Sequence, residues 1–338
     1  MTVRIGVVGT GWIGAEHIRR ITTSICGAEV VAVTDIDADR AAGAVEGTGA
    51  RVLSSEEEVI AAQDVDAVVV ASWGPAHAES VLAAIKAGKP VLCEKPLATS
   101  VEDCHRIMEA EAAHGSRLVQ VGFMRRYDAG YLQMKRVLDS GDLGTPLMAH
   151  CVHRNQSVPE AYHSEMEARD TAVHEIDTLR WLTGQEVATA QVLTPRRTAL
   201  RHEHLVDPQI ILLEMADGSR VDIEVFVNCQ YGYEIGCEIV GEKGTVRLPE
   251  VPAPVVRSSG SAGTEVPQDW VDRFDPAFDA EFTEWVDTVR RGAEPAGAGA
   301  WDGYAAAAVC DAAVQALHSG EVVPVGMAPR PALYGDAQ

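Results

Sequence analysis

Up to about residue 122 the chain alternates short apolar runs with Ala- and Glu-rich stretches, the order that builds a parallel sheet covered by helices. The strand candidates are Arg4 to Val8, Glu29 to Thr34, Ala67 to Ala71, Pro90 to Cys93 and Leu118 to Val121. Each is mostly apolar on successive residues, as in strands buried on both faces. The intervening helices carry start and stop signals. Ser54 or Ser55 caps a segment running through Glu58, and Pro75 suits a first helical position ahead of Ala76 to Ala87. Ser100 with Asp103 opens a further helix; Gly88 and Gly115 fit the stops.

Beyond residue 122 the pattern changes. After one helical stretch near Tyr131 to Ser140, longer alternating strands take over with hairpin signals between them. Ile210 to Met215 and Arg220 to Val227 flank Ala216-Asp217-Gly218, while Glu238 to Val240 and Thr245 to Leu248 flank Gly241-Glu242-Lys243-Gly244. A Pro-, Ser- and Gly-rich stretch from Pro252 to Gln268 reads as a surface loop, and helices follow near Phe278 to Arg291 and Asp302 to Ser319. The expected fold class is α/β: a doubly wound domain over residues 1–122, then an α+β domain over residues 123–338 with an open, mainly antiparallel sheet. A C-terminal helix has the option of packing back on the first domain.

Composition narrows the partners. Fifty Asp and Glu against 28 Lys and Arg give a formal charge of -22, which repels nucleic-acid phosphates and anionic lipid surfaces. Seven cysteines, an odd number without a Cys-x-x-Cys pair, suit reduced thiols in a cytoplasm. No apolar run reaches the roughly 20 residues of a membrane span, and Met1 leads straight into a strand rather than a signal peptide. A cytoplasmic protein is expected.

The first candidate chemistry is Gly9-Thr10-Gly11-Trp12-Ile13-Gly14, a Gly-x-Gly-x-x-Gly match placed after the first strand and at the start of the first helix. Its glycines serve a tight turn, close approach to a pyrophosphate and helix–strand packing, the marks of a Rossmann dinucleotide site. Asp35, at the end of the second strand, can accept from the adenosine ribose hydroxyls and repel a 2′-phosphate, which favours NAD. Arg40 nearby leaves room for NADP. The plain alternative is that Asp35 caps the following turn and the glycines only tighten packing. The expected cofactor set is Gly9, Gly11, Trp12, Ile13, Gly14, Asp35, Ser72, Glu94 and Lys95.

Cys93-Glu94-Lys95-Pro96 ends the fourth strand, where doubly wound sheets hold ligands. Lys95 there can position a hydroxyl and stabilise developing negative charge, or simply pair with Glu94 at the surface. In the helix-like run Arg169 to Leu182, Asp170, His174 and Asp177 project within one sector at about 100° per residue. Hydride loss from a carbinol requires loss of the hydroxyl proton, and imidazole suits that base near neutrality. His174 is the expected base, Asp170 its orienting carboxylate and Asp177 a partner of substrate hydroxyls. A solvated helix face, or a metal site of Asp170, His174 and His153 or His163, competes with this reading; no metal is expected, since nicotinamide already serves as electron sink.

Together these residues resemble the Gfo/Idh/MocA oxidoreductases, and within them the inositol 2-dehydrogenases. The general marks are the Gly-rich turn, Glu94-Lys95-Pro96 and the Asp170 to His174 pair. The narrower ones are Gly122 to Asp128, His153-Arg154-Asn155, Asn228 to Glu234, Asp269-Trp270 with Asp272-Arg273-Phe274, and Ala300 to Tyr304. The resemblance implies Lys95, Asp170 and His174 as the catalytic set, and polyol contacts from Arg125, His153, Asn155, Asp177 and Tyr233. It also implies a homotetramer formed through the open face of the second domain's sheet. The alternation in Arg220 to Val227 adds apolar residues on a face that no expected helix clearly covers. Rivals are a dehydrogenase of another inositol isomer, ring position or pyranose, a redox-neutral NAD-dependent glycosidase, and a non-catalytic NAD-binding regulator.

Overall fold

The computed structural model describes residues 2–250 and 253–335. Met1, Pro252 at the head of the expected loop, and the chain end at Gln338 lie outside the described residues. The chain divides into two compact units: the first holds the residues up to Met124, Ala277–Ala307 and those from Ala328 on, and the second holds Arg125–Pro276 and Ala308–Met327.

In the first unit the order is β1 (Val3–Val8), α1 (Trp12–Thr23), β2 (Ala28–Thr34), α2 (Ala38–Ala44), β3 (Arg51–Val52), α3 (Glu56–Ala61), β4 (Ala67–Val70), α4 (His77–Lys86), β5 (Val91–Glu94), α5 (Val101–His114) and β6 (Val119–Gly122). All six strands are parallel, in the order β3-β2-β1-β4-β5-β6, so the chain reverses direction across the sheet beside β1 and β4. The short edge strand β3 was not foreseen; two residues carry no periodicity. The helix signals act as read: the Ser55 hydroxyl accepts from the Glu58 N–H, the Ser100 hydroxyl from the Asp103 N–H, and Gly115 ends α5 in the left-handed region. Pro75 is the second residue of a short 3₁₀ turn, Gly74–Ala76, and α4 proper begins at His77.

The second unit contains α6 (Ala129–Asp139), β7 (Pro146–Arg154), α7 (Val173–Thr183), β8 (Val187–Leu193), β9 (Gln209–Met215), β10 (Arg220–Phe226), β11 (Glu234–Gly241), β12 (Thr245–Arg247), β13 (Val255–Ser258) and β14 (Ser261–Thr264). Then come α8 (Val271–Arg291), α9 (Ala300–Ser319) and β15 (Val323–Pro324). Seven strands form a sheet in the order β12-β11-β7-β10-β9-β8-β15, antiparallel except between β7 and β10.

Two expectations are corrected and one is refined. The loop from Pro252 to Gln268 contains the exposed β13–β14 hairpin, because Ser259 and Gly260 both take positive φ and make the tight turn that twisted strands prefer. The compact units also differ from a plain cut after residue 122, in the manner left open for a C-terminal helix. Phe282, Trp285 and Val286 of α8 fill the core formed by Ile18, Ile21, Val33 and Leu92, which returns that part of the helix to the first unit. Finally, Val221, Ile223 and Val225 of β10 are buried within the second unit rather than on an open face. The opposite face carries Ile210 and Leu212 with Asp222 and Glu224.

Candidate active site

In the first unit, the glycines of the turn between β1 and α1 have different surroundings. Gly9 sits at φ +91, where a Cβ would lie 2.4 Å from the Ser72 nitrogen. At Gly14 a Cβ would lie 2.1 Å from the Gly9 carbonyl oxygen, so this helix packs directly on the turn. Gly11 faces open space, and it begins α1 without a side-chain cap, leaving the first helical N–H groups to an anionic ligand.

Around this turn the fit to a dinucleotide extends to the neighbouring strand ends. Asp35 accepts from the Thr10 N–H at 2.7 Å and hydroxyl at 3.0 Å and from the Asp37 N–H at 2.9 Å, and it pairs with Arg40. Burial pushes its pKa up, but the bonds from Arg40, Asp37 and Thr10 outweigh burial and hold it at about 2. Trp12, Ile36 and Trp73, just beyond β1, β2 and β4, are exposed apolar groups suited to flat rings. Among the described residues the buried Ser72 hydroxyl meets no hydrogen-bond partner.

Glu94 is buried rather than paired at the surface. Its Oε1 lies 2.7 Å from His17 Nε2 and its Oε2 accepts from the Lys95 N–H at 3.2 Å, while Gly122 leaves room for the carboxylate. Arg20 reaches His17 Nδ1 at 2.9 Å and Asp279 at 2.7 Å, extending the chain of contacts into α8. Burial alone would raise the Glu94 pKa, but His17 and then Lys95 keep it lowered. His77 bridges the Ser72 carbonyl at 2.9 Å and the Pro96 carbonyl at 2.7 Å, tying the loop after β4 to the Lys95 turn.

The second unit holds the other candidates. Asp170 lies in a π-helical segment, Glu167–Ala172, that runs directly into α7 with His174 in its first turn. The wider winding displaces Asp170 from the place a regular 100° step gives it relative to His174. Asp177 is buried and held bidentately by Arg126 at 2.6 and 3.0 Å, so it stands in an ion pair rather than as an open acceptor. Arg125, fully buried, pairs with Glu175, whereas Asp128 caps α6 and takes Arg273.

His153 Nδ1 lies 3.0 Å from Glu175 and 3.2 Å from Arg125, and its ring meets Tyr233 edge-on at 5.7 Å. Asn155 pairs through its backbone with Phe226 and Cys229, which fixes the end of β7. Arg125, His153 and Tyr233 are thus gathered about Glu175. Burial would raise the Glu175 pKa, but the Arg125 charge and then His153 bring it to about 2. Burial pushes the Tyr233 hydroxyl up to about 12 despite Arg125.

Sequence reasoning missed Glu175, His17, Arg126, Ile36 and Trp73. Glu175 fell outside the helical sector chosen around His174, though its adjacency to that histidine was a usable signal. His17 stands three residues beyond the last glycine of the turn. Among the described residues no group of three or more His, Cys, Asp or Glu is arranged to hold a metal, and no helix is long and apolar enough to cross a membrane.

Comparison with known proteins accords with this geometry. The family model for the NAD-binding Rossmann fold of the Gfo/Idh/MocA oxidoreductases matches residues 3–123, and the model for that family's C-terminal alpha/beta domain matches residues 135–325. Inositol 2-dehydrogenase 3 of Saccharopolyspora erythraea is 65% identical over 335 residues, covering 99% of each chain. Inositol 2-dehydrogenase of Burkholderia cenocepacia is 55% identical over 336 residues, again covering 99% of each. Among solved structures, myo-inositol dehydrogenase from Lactobacillus casei in complex with NAD(H) and myo-inositol superposes with a TM-score of 0.96 at 40% identity, covering 99% of this chain and 100% of that one. The chain belongs to the Gfo/Idh/MocA oxidoreductase family and has its NAD-binding Rossmann domain followed by its C-terminal α/β domain.

Proposed function

We propose that this protein is an NAD-dependent dehydrogenase that oxidises a ring hydroxyl of myo-inositol or a close cyclitol to the inosose. The observation that carries the reading is the full-length likeness to the Lactobacillus casei enzyme, whose structure contains both NAD(H) and myo-inositol. The 65% identity to an inositol 2-dehydrogenase supports it.

The Gly9 to Gly14 turn, Ser72 and Asp35 hold NAD, with Trp12, Ile36 and Trp73 flanking it. Bound NAD supplies the acceptor for the hydride that leaves the ring carbon. His174 takes the hydroxyl proton from the same carbinol, and Asp170 holds its imidazole in one tautomer. The Lys95 ammonium stabilises the alkoxide-like oxygen as that proton departs. Arg125, His153, Asn155 and Tyr233 orient the polyol, and Asp177 enters as a pair with Arg126. A cyclitol presents a ring of hydroxyls, and such a constellation of fixed donors and acceptors selects one carbon.

We also assign the protein to the cytoplasm, on seven cysteines that are all free thiols, and to a homotetramer joined through the second unit's sheet. The deciding experiment is a panel of inositol isomers and aldoses with NAD and NADP, following nicotinamide reduction and identifying the ketone by NMR. Inosose and NADH from myo-inositol are expected. Sugar release without NADH, or turnover of aldoses alone, would overturn the reading. His174→Ala should still bind NAD yet lose turnover by about a thousandfold.

A further inference from the structure

Glu175 directly follows His174, and its side chain lies in a buried cluster with Arg125 and His153. Its side chain is 2% exposed, that of Arg125 1% and that of His153 7%. Arg125 donates to Glu175 Oε1, while His153 Nδ1 lies 3.0 Å from Oε1 and 3.1 Å from Oε2. The same His153 nitrogen lies 3.2 Å from Arg125 Nη2. One ring nitrogen therefore faces both an acceptor and a donor, and the two contacts demand opposite tautomers: Nδ1 must carry hydrogen to reach Glu175 and must lack it to accept from Arg125.

The carboxylate wins this competition on physical grounds. A ring N–H donated to an ionised carboxylate is charge-assisted, and Glu175 stays ionised across the working pH range because Arg125 sits against it. If Nδ1 accepted from Arg125 instead, a buried carboxylate oxygen would lose a donor, and such losses are the expensive ones. Arg125 tolerates the arrangement, since Glu175 neutralises its charge. His153 lies on β7 opposite Val225 of β10, which puts it on the inner face of the sheet with Tyr233 beside it.

We propose that Glu175 is a positioning residue that locks His153 in the Nδ1–H tautomer, so that its Nε2 accepts a hydrogen bond from one cyclitol hydroxyl. This rests on the reading above that His153 contacts the polyol. The substrate must then donate at that position, which makes one hydroxyl of the ring indispensable as a donor rather than as an acceptor. Neither Arg125 nor Glu175 needs to touch the substrate for this selection to operate.

Analogues that separate donation from acceptance test the proposal. At each ring position that is not oxidised, a deoxy and a deoxyfluoro myo-inositol are compared with the parent, because fluorine occupies the hydroxyl's place and accepts weakly but cannot donate. At the position that meets His153, both analogues should lose about tenfold or more in kcat/KM, mainly through KM, and fluorine should give no rescue over hydrogen. In Glu175→Gln the Arg125 donor takes the amide oxygen, which leaves the NH2 toward Nδ1 and drives His153 to the Nε2–H tautomer. The fluoro analogue should then outperform the deoxy one at that position, with KM for NAD unchanged. Glu175→Asp keeps a carboxylate and should retain the wild-type order.

A wild type that prefers fluoro over deoxy wherever the analogues weaken it, or a Glu175→Gln variant with the wild-type order, overturns the proposal. Should that variant fail to fold, ring-nitrogen NMR signals of ¹⁵N-histidine-labelled wild-type holoenzyme decide, and a protonated Nε2 on neutral His153 overturns it. An enzyme that oxidises no cyclitol sinks the underlying functional reading, and the same NMR signals still report the tautomer separately.

Discussion

Asp35, proposed to meet the adenosine ribose, has little spare acceptor capacity. A carboxylate offers about four acceptor sites, and four donors already face this one: the Thr10 N–H and hydroxyl, the Asp37 N–H and Arg40. Three of these belong to tight turns. Arg40 is the exception, a long arm with a 45% exposed side chain, so in the proposed NAD site it is the donor that an adenosine ribose hydroxyl would replace. Once displaced, Arg40 remains beside the ribose, where a 2′-phosphate would attract it while Asp35 repels that phosphate. Asp35→Ser should therefore raise the NADP-to-NAD ratio of kcat/KM about ten- to a hundredfold, and adding Arg40→Ala should reverse part of that gain. Initial rates with both cofactors measure it; an unchanged ratio in Asp35→Ser would remove the carboxylate from cofactor choice. The position of Asp35 was legible because a strand end followed by an acid is a spacing. The engagement of Arg40 was not, because it depends on how α2 begins and where its first turn sends a side chain.

Elements were legible to the extent that they leave a period. The five long parallel strands and the two hairpins that were foreseen have period or turn chemistry, and all of them appear. The π-helical segment Glu167–Ala172 leaves none, since a change in hydrogen-bond register marks no composition, and the regular spacing of Asp170, His174 and Asp177 concealed it. Glu167, its first residue, is buried, and burial followed by the charge of Asp207 raises its pKa from 4.5 to about 10. The sign of the linkage follows. Above about pH 4.5 the unfolded chain releases this proton while the folded chain retains it. Stability then falls by at most ~1.4 kcal/mol per pH unit until the folded group also ionises. Glu167→Gln removes the effect. Its melting temperature should match the wild type near pH 4.5 and exceed it by a margin that widens toward pH 9. Thermal melts across that range measure the margin, and one that stays constant with pH would show that Glu167 is ionised in the fold.

At the scale of the whole molecule, the return of α8 to the first unit could stand only as an option, because the stretch reads as an ordinary amphipathic helix and the destination of its apolar face is a long-range fact. The same limit applies to assembly. The apolar alternation of β10 pointed to an open sheet face, yet those valines and Ile223 are covered, and the outer face is mixed. Across it, Val152, Glu224, Ile210 and Leu193 form one cross-strand row, and His150, Asp222, Leu212 and Gln191 form the next. Ion pairs of Arg154 with Glu224 and Glu234, and of Arg220 with Glu214, neutralise much of its charge locally. That matters in a chain of net charge -22, whose copies repel one another unless the surfaces that meet are locally balanced. A face carrying Ile210, Leu212 and Leu193 between paired charges meets that condition, and in a symmetric contact a carboxylate placed there faces its own copies. Ile210→Glu with Leu212→Glu should therefore break the proposed tetramer into smaller species while NAD binding in the first unit persists. Added salt should partly restore the larger species by screening the new repulsion. Size-exclusion chromatography with light scattering, paired with an NAD titration, reads both effects, and a variant with the wild-type mass would move the assembly surface elsewhere on the molecule.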